Sequence, residues 1–169
     1  EGKPLVQPVC GYFSQQYGAV LHEGKDYKET CQEFFEPTLL PLTGRDNIMF
    51  PGDGVSSITV FLQPQPNETP QGTGATLYND TEYQGTSTGP YASNQSTLGD
   101  FSDKARSIKI DGNYMALLFR NANYTGACEV FRDDDPNLEN NNVTTKDWFS
   151  IPPGKIDTVS SLKVISVRK

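Results

Sequence analysis

Apolar positions along this chain come in short runs. None is long enough for a membrane-spanning helix. Three runs repeat one phrase. Ala19-Val20-Leu21-His22 leads to Tyr27, Ala75-Thr76-Leu77-Tyr78 to Tyr83, and Ala116-Leu117-Leu118-Phe119 to Tyr124. Each is a short apolar strand ending in a ring, then a polar turn, then Tyr five residues beyond the ring. Gly85 and Gly126 follow two residues later. The spacing predicts a strand that folds back as a hairpin, with the Tyr ring packed over the turn. The glycine permits a positive φ there that a Cβ would resist. In the first copy His22 replaces the aromatic ring and Glu29 the glycine, so that copy is degenerate.

Downstream of each hairpin a second phrase recurs, Asp-x-x-x-Ser followed by an aliphatic residue. It runs from Asp53 to Ile58, from Asp103 to Ile108 and from Asp157 to Leu162. Each copy opens an alternating stretch: Ile58/Val60/Leu62, Ile108/Ile110 and Leu162/Val164. Alternation at period two predicts strands with one buried face. Cys31 and Cys128 each lie four residues after the repeat Tyr, and the first and third copies share Asp-x-Val-Ser-Ser. The copies are therefore of two kinds, in the order B, A, B. Gln63 to Gly72, with three prolines, predicts a linker or exposed crossover. Asp133 to Asn142 predicts a solvated loop that enlarges the third copy.

A ring, Tyr at plus five, Gly at plus seven and a Ser phrase opening a strand together resemble the βγ-crystallin Greek key. The expected fold class is all-β, a crystallin-like Greek-key sandwich with a second, smaller β unit at the N-terminus. Residues 73–168 hold two complete keys; residues 1–70 hold one degenerate key or another small β-sandwich. The resemblance implies calcium, because the family's downstream phrase is Asn/Asp-Asn/Asp-x-x-Ser/Thr-Ser and two such loops exchange oxygen ligands. Asp157, Ser160, Asp103, Asp53 and Ser56 are the candidate metal ligands. Every copy departs from the motif: Gly52 and Ile156 stand in its first place, and the second copy has Ser102 there and Arg106 in the hydroxyl position. A guanidinium offers no lone pair and repels a cation. At most one competent site is expected, centred on Asp157 and Ser160. The alternative is that these side chains close their own loops through backbone hydrogen bonds.

Composition narrows the picture. The chain has 169 residues and a net charge of −7, with lysine and arginine scattered. It lacks the basic stripe that nucleic acid or an anionic membrane surface would need. Sequons at Asn67, Asn79, Asn94, Asn123 and Asn142 favour a secreted glycoprotein, with Glu1 read as a mature terminus left by signal removal. The cysteines are Cys10, Cys31 and Cys128, an odd number that leaves one thiol free or paired between chains. Cys10–Cys31, nearest in sequence, is the expected disulfide. Without a CxxC or a Cys/His run, structural zinc is not expected.

Enzymatic signals are weak. His22 is the only histidine, and it stands where the repeat places a packed ring. No Gly-x-Ser-x-Gly elbow occurs. Asp133, Asp134 and Asp135 are read as solvated, and Trp148 as core rather than a sugar-stacking ring. The expected function is a non-enzymatic, secreted structural or stress-associated protein, weakly calcium-binding at most. Two alternatives stay open: an antimicrobial, killer-toxin-like or protease-inhibitor protein, and a carbohydrate-binding or adhesion module with a protein or glycan partner. The unpaired key and the odd cysteine favour a homodimer.

Overall fold

The computed structural model describes residues 17–22, 31–35, 55–140 and 159–169. The described residues form nine strands: β1 Tyr17–His22, β2 Cys31–Phe34, β3 Ser57–Leu62, β4 Gly74–Tyr78, β5 Ser87–Tyr91, β6 Ser107–Asp111, β7 Tyr114–Asn121, β8 Thr125–Phe131 and β9 Ser161–Ser166. They assemble into three antiparallel sheets with one recurring order, β2-β1-β3, β5-β4-β6 and β8-β7-β9. We call these sheets A, B and C. In each, the strand of the first repeated phrase is central. The hairpin partner lies on one side and the strand opened by the Ser phrase on the other. The fold is all-β, as the alternation predicts.

Sheets B and C exchange segments. Gln95, downstream of β5, bridges to Leu162 on β9, and Asp135, downstream of β8, bridges to Ile108 on β6. Each key thus lends its crossing segment to the sheet of the other. Asp133 and Asp134 in the Asp-rich loop are exposed, as the composition predicts, and the loop is in addition tied to the opposite sheet. Asp135 pairs its backbone with Ile108, and the Asp134 carboxylate accepts a hydrogen bond of 2.8 Å from Ile110 N.

Two cores result because β7 is apolar on both faces. Its odd and even residues point in opposite directions. Ala116 and Leu118 meet Ala75, Leu77 and Ile108 in the core between sheets B and C. Met115, Leu117 and Phe119 meet Val20, Cys31 and Phe61 between sheets A and C. A central strand covered on both sides needs a continuous apolar run, and Tyr114–Phe119 supplies it. The A–C layer also holds the Glu33–Lys163 ion pair, and the Arg132 guanidinium donates to Val60 O.

The third sheet uses the face opposite to the one that pairs B with C. Ile58 and Val60 are 43% and 41% exposed. Their repeat counterparts Ile108 and Ile110 on β6, and Leu162 and Val164 on β9, are buried.

The cysteine pairing corrects the sequence expectation. Cys31 bonds to Cys128, with Cα atoms 5.9 Å apart, and not to Cys10, which lies outside the described residues. The reason is the repeat itself. Cys31 sits opposite His22 in the β1–β2 register, and Cys128 opposite Phe119 in the β7–β8 register. Equivalent positions on equivalent faces meet when the two sheets pack, whatever their distance along the chain.

His22 is fully buried in this layer, with Nε2 3.3 Å from Thr59 Oγ1. Burial pushes its pKa down from 6.5 to about 4, so the ring is neutral at pH 7. Between those two values the unfolded chain takes up a proton that the folded protein refuses. Stability is therefore full above pH 6.5 and falls as the pH drops, by on the order of 3 kcal/mol once the pH reaches the folded value. Urea midpoints measured from pH 7 to pH 4 should show this slope, and His22→Gln should lose it. An identical slope in both proteins would contradict the assignment.

Candidate functional site

Two corners in the B–C pair share one construction. After β4 and after β7 the chain turns through a single 3₁₀ turn, Thr81–Tyr83 or Ala122–Tyr124. Both corners carry positive φ at equivalent residues, Glu82 and Tyr83 in one, Asn123 and Tyr124 in the other. The Tyr ring then folds back edge-on: Tyr83 on Tyr78 at 6.1 Å, Tyr124 on Phe119 at 5.8 Å. Lys109 and Lys163, at matching repeat positions, cover the outer faces of Tyr83 and Tyr124 at 4.7 and 4.9 Å. Gly126 sits at φ +78, a conformation that L side chains rarely adopt, so a substitution there is strained.

In sheets B and C the final serine of the Ser phrase locks its corner. Ser107 Oγ donates to Asp80 O at 2.7 Å and accepts from Tyr83 N at 3.1 Å. Ser161 Oγ donates to Asn121 O at 2.6 Å and accepts from Tyr124 N at 3.1 Å. Both serines are fully buried. Ser161→Ala strands one backbone donor and one acceptor, so a loss of about 2 kcal/mol is expected. Thermal unfolding of Ser161→Ala and Ser161→Thr tests this: Thr should retain more stability than Ala, and an unchanged melting temperature in Ala would refute the role.

The residues singled out for calcium divide sharply. Asp53 and Asp157 lie outside the described residues. Ser56 is exposed, its backbone N–H donating to His22 O at 2.9 Å. Asp103 and Ser160, from the two different keys, come together: Ser160 Oγ donates to Asp103 Oδ1 at 3.0 Å. Asp103 N also donates to Val159 O at 3.0 Å, and Leu98 N to Ser160 O at 2.9 Å. Two oxygens 3.0 Å apart can both reach one cation at roughly 2.4 Å. The pseudo-equivalent corner fails the same test, because Arg106 stands there and pairs with Glu139.

Other surfaces bear on recognition. From Gln84 to Thr97 the chain is mostly exposed. Its distal part is nonetheless pinned to the scaffold. Asn94 Oδ1 accepts from Val164 N at 2.9 Å, Gln95 exchanges backbone hydrogen bonds with Leu162 at 2.8 and 3.0 Å, and Ser96 O accepts from Asn123 N at 2.7 Å. Exposed sequon asparagines include Asn67, Asn94 and Asn123. Asn79 is half-buried, its side chain accepting from Thr86 N at 2.7 Å, and Asn142 lies outside the described residues. A cavity of about 350 Å³ opens at the end of the A–C layer, where Phe61 and Met115 meet Arg132, Arg168 and Lys169. Sequence patterning gave no hint of this cavity, since its wall comes from five separate segments of the chain. Trp148 lies outside the described residues.

Comparison with known proteins adds the following. The profile of Peptidase inhibitor family I36 matches residues 75–131. No curated protein matches. Among solved structures, a βγ-crystallin domain from Flavobacterium johnsoniae is 26% identical, covering 54% of this chain and 93% of its own, with a TM-score of 0.41. The N-terminal domain of Protein S is 20% identical, covering 56% and 98%, with a TM-score of 0.43. A βγ-crystallin domain from Clostridium beijerinckii is 22% identical, covering 56% and 99%, with a TM-score of 0.42. The hairpin corners, the serine locks and the exchanged crossing segments make sheets B and C a pair of Greek keys of the βγ-crystallin type.

Proposed function

We propose that this protein is a secreted, non-catalytic inhibitor of a peptidase, built on a crystallin-type pair of Greek keys. The observation that carries the reading is the inhibitor-family match, which spans β4 to β8. The pinned segment from Asn94 to Ser96 supports it. An inhibitor loses least on binding when its contact segment is already held in one conformation. Here four backbone or side-chain hydrogen bonds hold an exposed segment against the scaffold. The disulfide and the exposed sequon at Asn67 support an extracellular setting.

The test is inhibition by the purified, oxidised protein of a panel covering serine, cysteine, aspartic and metallopeptidases. Tight inhibition of one class, weakened by Ser96→Arg, a change at an exposed side chain in a variant that keeps its melting temperature, is the expected result. Folded protein that inhibits none of the four would return the molecule to the structural or stress-associated role.

A second reading rests on the Asp103–Ser160 contact. Calcium binds there, with the Asp103 carboxylate and the Ser160 hydroxyl as ligands. Calorimetric titration should give one site in the wild type and none in Asp103→Ala. An absence of heat in the wild type removes calcium from the account.

A further inference from the structure

We propose that the cross-link between sheets A and C becomes, once reduced, a binding site for a zinc-class divalent cation formed by His22, Cys31 and Cys128. No Cys/His run in the sequence announces such a site. The tertiary structure creates it by bringing together residues 97 positions apart. A ring nitrogen of His22 and the two Sγ atoms lie within 4.8 Å of one another, and all three residues are buried. In a tetrahedral zinc site with bonds of about 2.0–2.3 Å, ligand atoms sit roughly 3.5–3.8 Å apart. Two sulfurs released from their bond come to rest at about that separation, so a cation replaces the covalent link without opening the layer.

The chemistry of the donor set fits. Two thiolates and a neutral imidazole are the donors that zinc prefers. Two thiolate charges cancel the dication, so the occupied site is neutral within a cluster of Val20, Leu117 and Phe119. The His22 ring is held in place by Thr59 Oγ1, 3.3 Å from Nε2. The balance is simple. A dithiol reductant gives two electrons and two protons to the Cys31–Cys128 bond and leaves as its own disulfide. The cation then displaces both thiol protons. In an oxidising compartment the layer is closed covalently, and in a reducing one it is closed by metal.

The test uses the full chain carrying Cys10→Ser, which removes the third thiol. The protein is reduced anaerobically and titrated with Co²⁺, then with Zn²⁺. The expected result is about one Co²⁺ per chain, with visible bands of tetrahedral cobalt and thiolate charge transfer, all bleached by Zn²⁺. Oxidised protein should take up none. His22→Gln should weaken Zn²⁺ by at least the roughly 10–100-fold that loss of a mere supporting group costs a metal site. Reduced protein that keeps its β circular-dichroism spectrum but binds no Co²⁺ overturns the proposal. So does reduced protein that unfolds and is not restored by Zn²⁺. Unchanged Zn²⁺ affinity in His22→Gln removes the histidine, and with it the site as proposed.

Discussion

Leu118→Ala should lower the unfolding free energy by about 3–5 kcal/mol, the range for truncating a large side chain in a core that cannot collapse. Leu118 is fully buried on β7, and its register partner on β9 is Leu162, also fully buried. Sheet B closes the other side through Leu77 and Ile108. With strands fixed on both sides, the backbone has little freedom to fill the void. Leu117→Ala is the informative companion, because Leu117 points the other way, into the A–C layer. If the three sheets unfold as one cooperative unit, both variants shift the same urea transition. A second transition appearing only in Leu117→Ala would mean that sheet A unfolds separately. A loss under about 1 kcal/mol in Leu118→Ala would show that Leu118 is not in a close-packed core.

Breaking the interlayer disulfide is the other large perturbation. The bond closes a loop spanning 97 residues. The chain-entropy model gives about 4.7 kcal/mol for a loop near 100 residues, and removal of native disulfides typically costs about 2–5 kcal/mol. The double variant Cys31→Ser/Cys128→Ser should therefore lose about 3–5 kcal/mol. The double variant is the cleaner choice, because a single change leaves an unpaired thiol at the other position. Hydrogen exchange localises the effect. Amides of β1 and β3 should lose protection first, while those of β4 and β6 keep theirs, since the B–C core does not include the bond. Equal loss across all three sheets would mean that the cross-link and the B–C core belong to one folding unit. Unaltered stability would mean that apolar packing of Val20 and Phe61 on Leu117 already holds the layer.

Much of this architecture was legible in the residue pattern. The ring at Tyr78 or Phe119, the Tyr five residues on and the glycine at plus seven are local requirements. They act through backbone conformation and contacts between near neighbours, so they write themselves into spacing. The T-shaped pairs and positive φ values at the two corners are that spacing made physical. The serines were less transparent. Ser160 and Ser161 stand side by side in one phrase, yet Ser161 locks a corner and Ser160 meets a carboxylate of the opposite key. A phrase places its hydroxyls but does not say which group from another segment will stand opposite.

By itself the sequence determined the strand identity of the repeats, their hairpin corners, the two-key unit and an apolar run at Ala116–Phe119. Each follows from interactions that span a few residues and from periodicity, which a one-dimensional pattern can carry. Only the tertiary structure decided that Cys31 bonds to Cys128 rather than to Cys10. It also decided that His22 joins the two cysteines, that Asp103 meets Ser160, and that the Asp-rich loop serves as a crossing segment. Those are outcomes of sheets packing face to face. Packing is set by the shape and burial of whole surfaces, so residues distant along the chain become neighbours without any local mark.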